Sequence, residues 1–242
     1  MLTDYFGKAV AQRYDENCSD MFDPAVLEPA VDLLGELAGD GAALEFGIGT
    51  GRVALPLVER GTHVHGIDLS EAMVAQLRAK PGAAEIDTVV GDFATTTVAG
   101  RFQLVYLVFN TINNLTTQDQ QVACFGNAAA HLEPGGCFVI EVHVPDLQRL
   151  PFGERFRPFT VTPTYLGIDE YDVVNQGLVS HHYRLADGEA VVRSIPFRYA
   201  WPAELDLMAR LAGLRLRNRW AGWSREPFTS TSTSHVSVWE KI

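Results

Sequence analysis

Apolar and polar positions follow two rhythms along this 242-residue chain. Between Pro24 and Gly39 the apolar residues Val26, Leu27, Ala30, Leu33, Leu34 and Leu37 recur at helical spacing, with Asp23 before Pro24 as a helix start. "AALEF" then reads as a strand, Arg52–Arg60 as a helix, "THVHGID" as a second strand, and Glu71–Lys80 as a helix capped by Ser70 and stopped by Pro81-Gly82. "IDTVVGD" and "FQLVYLVF" are the next strands, Gln118–Leu132 is a helix ended by Pro134-Gly135-Gly136, and "CFVIEVHV" is a fifth strand. Strands that are nearly unbroken apolar runs and alternate with helices predict a doubly wound, mostly parallel α/β sheet covered on both faces.

From about Phe156 the rhythm changes. "FTVTPTYLG", "YDVVNQGLVSHHYRL" and "EAVVRSIPFRYAW" are strand-like, and Asp187-Gly188 is a hairpin signal between the last two. Pro202–Ala212 is a helix with Pro at its start and Gly213 after its end, followed by the strands "LRLRNRW" and "SHVSVWEKI". The expectation is a single domain, 1–242. It has an N-terminal helical cap over 1–40, a small antiparallel lid insertion over 145–201, and a seven-stranded sheet whose last strand runs antiparallel.

The stretch "ALEFGIGTGRVALPL" carries the first chemistry. A strand, a glycine loop and a helix in succession hold a nucleotide. Counted from Gly47, the third slot of the dinucleotide fingerprint holds Arg52 and the pattern fails; counted from Gly49 it holds Ala54 and the alternative form passes. The glycines alone therefore admit an NAD(P)-dependent oxidoreductase.

Charge narrows the field. A formal net charge of −11 argues against a nucleic-acid binder, which needs a basic face, and against docking on an anionic membrane. The cysteines Cys18, Cys124 and Cys137 form no C-x-x-C, and the seven histidines have no carboxylate pairing, so no metal site is expected. Reduced thiols, no apolar run of membrane-spanning length and no signal-peptide pattern point to a cytoplasmic protein, monomeric or homodimeric.

Acids at the strand ends decide the ligand. Asp68 ends the second strand nineteen residues after Gly49, where it can accept from ribose hydroxyls. Glu45 lies two residues before Gly47, and Asp92 ends the third strand in "VVGDF". A carboxylate beside a pyrophosphate is repelled. Three acids at successive strand ends suit a cationic, phosphate-free nucleoside.

At this point "LEFGIGTGR", "GIDLSEAM", "VVGDF", "FQLVYLVFNTINNL" and "HLEPGGCFVIEV", in that order, resemble the motifs of class I S-adenosylmethionine-dependent methyltransferases. The resemblance runs from Leu44 to Val142, and "VFNTINNL" with the antiparallel insertion looks most like the sugar N,N-dimethyltransferases and glycine N-methyltransferases. It implies S-adenosylmethionine as cofactor and a Rossmann-like fold. It also implies roles: Gly47, Gly49 and Gly51 admit the cofactor to the backbone, and Glu45 meets the methionine ammonium. Asp68, with Leu69 beside it, takes the ribose; Met73 lies below the adenine, with Asp92 and Phe93 at its amino group and ring. Phe109 and Asn110 lie near the methionine portion, and Tyr14 in "RYD" covers the site; Arg52 departs from the small residue sometimes seen after the glycines and, opening the helix, either reaches the methionine carboxylate or is solvated.

Methyl transfer requires alignment of a nucleophile and exclusion of water, and a base only where the nucleophile carries a proton. His143, after the fifth strand, is the expected base, because open α/β sheets place their sites at that edge. Asn114, His182, Tyr199 and Trp223 are expected to contact a small-molecule acceptor. No Asn/Asp-Pro-Pro-Tyr/Phe or Pro-Cys motif occurs, which argues against nucleobase substrates. A non-methylating protein that binds the same cofactor on the same fold is the other alternative.

Overall fold

A computed structural model describes residues 4–186 and 189–242; the Asp187-Gly188 hairpin signal lies outside them. The chain opens with two short helices, α1 (Lys8–Ala11) and α2 (Tyr14–Asn17), before α3 (Pro24–Ala38), whose start is capped by the Asp23 carboxylate accepting from Ala25 N. Then follow β1 (Ala43–Phe46), α4 (Ala54–Glu59), β2 (Val64–Asp68), α5 (Glu71–Arg78), β3 (Asp87–Val90), β4 (Phe102–Leu107), α6 (Gln118–His131) and β5 (Leu132–His143). The expected helix at Arg52 begins two residues later, and every expected strand of this half is present.

Seven strands form one sheet in the order β10-β11-β5-β4-β1-β2-β3, where β10 is Leu214–Trp220 and β11 is Ser234–Lys241. β11 runs antiparallel between β5 and β10, and the neighbours from β5 to β3 are parallel. Alternate residues of the central strands feed two cores. Leu44, Phe46, Val105, Leu107, Phe138 and Trp239 face α6 and α7 (Pro202–Leu211). Ala43, Leu104, Tyr106, Val139 and Val238 face α3, α4 and α5. With both faces covered, the strand order reverses between β1 and β4, which opens a crevice above their carboxyl ends.

The insertion is a second sheet, β6 (Phe156–Val161), β7 (Tyr165–Asp172), β8 (Gly177–Ala186) and β9 (Glu189–Arg198), antiparallel throughout. Two turns fall inside stretches that read as continuous in the pattern. Thr162 Oγ1 accepts from Tyr165 N at 3.0 Å, and Asp172 Oδ1 accepts from Val174 N and Asn175 N at 3.1 Å each. These short polar side chains bond the backbone locally and turn it, so three apolar stretches become four strands.

A buried polar knot joins the base of this sheet to the helices. Arg198 pairs with Glu204 at 2.6 Å and donates to Gln121 Oε1, and to Gln176 Oε1 at 3.1 Å. The N-terminal segment is tied to both sheets. Asp15 accepts from Thr50 Oγ1 and pairs with Lys80, each at 2.6 Å, Ser70 Oγ donates to the Phe6 carbonyl, and from the insertion Arg193 donates to the Tyr5 carbonyl and Arg184 to Asn17.

Candidate active site

The glycine loop leaves β1 under the control of β2. Gly47 N and Ile48 N both donate to the Ile67 carbonyl, and Gly49 N donates to Asp68 Oδ2 at 2.7 Å. The other oxygen, Oδ1, accepts from Ser70 N at 2.8 Å. Asp68 therefore ties the loop to the start of α5 and keeps only part of its acceptor capacity for a ligand. Burial pushes its carboxyl up, the two backbone bonds pull it down, and Asp4 adds to the rise.

The loop glycines answer to packing as well as to a ligand. Gly47 has φ +70° and a Cβ there would stand 2.6 Å from Thr111 Cγ2; Gly51 has φ +80° and its Cβ would drive into the Leu77 side chain. Gly51 does not border the cavity, so its smallness serves the loop-to-α5 contact.

Above the loop lies a cavity of about 270 Å³. Of the expected residues, Tyr14, Gly47, Gly49, Asp68, Leu69 and Met73 border it. Asp92, Phe93 and Asn114 border it too. Asp92 Oδ1 accepts from Ala94 N at 2.9 Å, so it shapes its turn as well as the wall. Phe93 stacks on Phe46 with 5.8 Å between centroids, which fixes its ring at the cavity edge. Burial raises the Tyr14 hydroxyl's pKa.

Glu45, in β1 just before the loop, does not border the cavity. It is 2% exposed, and its Oε2 accepts from the Tyr106 hydroxyl at 2.9 Å. Burial pushes its carboxyl up to about 8 and Asp68 adds to the rise, against the pull of the Tyr106 bond and Arg52. Arg52 places its guanidinium 5.4 Å from the Phe109 ring centre, next to this buried acid.

Two consecutive non-glycine residues at the exit of β4, Phe109 (φ +55°) and Asn110 (φ +61°), are left-handed. Such residues cost about 1–2 kcal/mol each. They are held from β5: Phe109 N donates to Glu141 Oε2 at 2.8 Å, and Asn110 Oδ1 accepts from His143 N at 2.7 Å. Asn110 thereby spends its side chain on the frame rather than on the cavity.

His143 ends β5 on the exposed crevice edge and does not border the cavity. His182 is on the face of the insertion that turns inward, with Nδ1 2.5 Å from the Tyr165 hydroxyl. Two acceptor residues expected from the sequence stand elsewhere. Tyr199 is buried beside Tyr171 at the foot of the insertion, and Trp223 packs against the core that holds α3, because the β10–β11 loop folds back over that face. Asp4, Phe6 and Thr111 border the cavity without having been singled out. Nothing in local spacing marks Asp4 and Phe6, because the tie of Ser70 to the Phe6 carbonyl spans 64 residues.

Residues 43–136 match the methyltransferase domain family. Over 98% of both chains, the structure is similar to that of the CcbJ methyltransferase from Streptomyces caelestis, at 38% identity and a TM-score of 0.85. The chain belongs to the class I S-adenosylmethionine-dependent methyltransferases. It is also similar to a cypemycin N-terminal methyltransferase from Streptomyces sp, 29% identical over 94% of this chain and 97% of that one. The S-adenosylmethionine-bound amino pentose methyltransferase CalS10 from Micromonospora echinaspora shares the fold at 22% identity, a TM-score of 0.72 and coverage of 95% and 97%. The dinucleotide reading of the Gly49 frame falls with this membership, and S-adenosylmethionine is the cofactor of the methyltransferase. No helix among the described residues is long and apolar enough to cross a membrane.

Proposed function

We propose that this methyltransferase moves the methyl group of S-adenosylmethionine to a nitrogen of a small-molecule or peptide-terminal acceptor. The observation that carries the reading is the convergence of Asp68, Asp92 and the left-handed glycine loop on one cavity, with the buried Glu45 in the strand that leads into the loop. The residues suit the cofactor: acids for ribose hydroxyls and an amino group, a carboxylate for an ammonium, and no pyrophosphate clamp. Nitrogen is favoured over oxygen by the cypemycin relative, which acts at an N-terminus.

When bound, the cofactor supplies a methyl carbon already activated on a sulfonium, so the chain's own task is binding, alignment and exclusion of water. Asp68 keeps lone pairs for the ribose beyond those given to Gly49 N and Ser70 N. Asp92 and Phe93 serve the adenine, with Met73 beneath it. Arg52 and Glu45 offer the methionine end a cation and an anion. The N-terminal segment, with Tyr14, and the insertion act as covers. His143, at the crevice edge, takes a proton from the acceptor.

Isothermal titration with S-adenosylmethionine and S-adenosylhomocysteine tests the cofactor site, and binding of both is expected. A product heavier by one methyl on nitrogen, found by mass spectrometry, completes the test. Binding without any methylated amine product would leave the cofactor site standing and remove the acceptor reading.

A further inference from the structure

The inner face of the insertion carries a carboxylate that the cofactor site does not use. Along β7, Tyr165, Gly167, Asp169 and Tyr171 share one face; opposite Asp169 on β8 stands Ser180, and opposite Ser180 on β9 stands Ile195. Burial says which way this face turns, because Gly167, Tyr171, Ser180 and Ile195 are all buried. Asp169 is thus on the covered face of the insertion, outside the lining of the cavity above the glycine loop.

Its surroundings are unusual for a carboxylate. Ser180 stands directly across from it on β8, and the imidazoles that act on it electrostatically are those of His181 and His143. Among the described residues it forms no ion pair. Arg157, directly opposite on β6, turns instead to Asp146 at 3.6 Å. His181, on the outer face, is held by Ser194 at 2.8 Å and Glu170 at 3.3 Å. His143, by contrast, makes no side-chain hydrogen bond among the described residues and, exposed at the end of β5, is near enough to act on Asp169 electrostatically. The Arg157–Asp146 pair ties the strand opposite Asp169 to the segment three residues beyond His143.

A partly buried charge without a counter-ion is costly unless something of opposite sign meets it. We propose that Asp169 is the acceptor-recognition residue of this enzyme, receiving the ammonium of a cationic amine between the insertion and His143. This deepens the nitrogen-methyl-transfer reading and rests on it. The amine enters as an ammonium and aligns against the Asp169 carboxylate. It gives one N–H proton to the His143 imidazole, which frees the nitrogen lone pair, while Asp169 stays ionised and balances the charge that His143 gains. Arg184 and Arg193, further along the same face, form no ion pair with it and donate to Asn17 and to the Tyr5 carbonyl.

The test compares cyclohexylamine with its neutral isostere cyclohexanol by NMR titration into the S-adenosylhomocysteine-loaded protein. Wild type is expected to prefer the amine at least tenfold. Asp169→Asn should abolish that preference, Asp169→Glu should keep part of it, and both should bind S-adenosylhomocysteine within twofold of wild type. Equal binding of amine and alcohol by wild type overturns the proposal. So does a preference that survives Asp169→Asn, or a loss of S-adenosylhomocysteine affinity in that variant, which would make Asp169 a structural residue. Failure of wild type to bind S-adenosylhomocysteine is a separate result that removes the underlying reading and the proposal with it.

Discussion

Replacing Glu45 by glutamine should strengthen the fold and weaken the cofactor at once. Glu45 is buried in β1 and pushed up to about 8, against an ordinary value of 4.5. Between those values the folded protein holds a proton that the unfolded chain has released, so stability falls as pH rises through the window. At about 1.4 kcal/mol per unit the full effect is on the order of 4–5 kcal/mol, and relaxation around the carboxylate brings the expectation to about 2–4 kcal/mol. The substituted amide keeps an oxygen to accept from Tyr106 and carries no charge. The variant should match wild type near pH 5 and exceed it by that amount above pH 8. Urea denaturation at half-unit pH steps measures this directly. The binding side follows from the same proton. At pH 7 a group titrating at 8 is ~0.9 protonated, and the methionine ammonium lowers it, so cofactor binding should release close to one proton in wild type and none in Glu45→Gln. Calorimetry in buffers of different ionisation enthalpy counts it. A stability difference that stays flat with pH, or cofactor binding without proton release, would refute the reasoning.

Asp68→Asn should weaken cofactor binding by about 2–4 kcal/mol and, because Gly49 N and Ser70 N lean on the same carboxylate, should also lower the melting temperature; titration and thermal scans on one sample separate the two losses. Gly47→Ala forces a Cβ toward Thr111 at positive φ and should cost about 1–3 kcal/mol of stability in denaturant titration. Removing Glu204 as Glu204→Leu leaves Arg198 buried without its partner and should cost about 3–5 kcal/mol. The Glu204 carboxyl is held below its usual range, burial opposing and the bonds from Gln176, Arg198 and Gln118 prevailing, so its share of stability is present above pH 4.5 and is lost as pH falls through the lowered value. His143→Ala should lower turnover at least tenfold while leaving cofactor affinity unchanged, read from steady-state rates beside calorimetry.

The parallel half of the fold was legible because each strand is an apolar run and most helices have a start or stop residue, as with Asp23 and Ser70. The acidic wall of the cavity was legible for the same reason: Asp68 and Asp92 sit where a strand ends, and the strand ends were visible. What sequence spacing did not carry is contact between distant segments. Asp169 lies mid-strand in the insertion, and only the register with Ser180 places it on the buried face of that sheet. Trp223 looked like a pocket residue because its loop leaves the active edge, but the Trp220–Pro227 bridge and the Arg225–Glu36 ion pair fold that loop toward α3. Gly51 looked like a ligand glycine, and the residue that decides its size is Leu77, in the following helix α5.

The N-terminal segment is tied to the glycine loop through Asp15 and to the insertion through Arg184 and Arg193. Those ties couple two doors that a simpler enzyme would keep separate. Exchanging spent cofactor means lifting the segment over the cavity, and lifting it pulls on the sheet that covers the acceptor. Cofactor turnover and acceptor release are therefore expected to share one opening motion. In kinetic terms the methylated product is expected to leave before or with S-adenosylhomocysteine, and an acceptor needing several methyl groups would have to rebind between transfers.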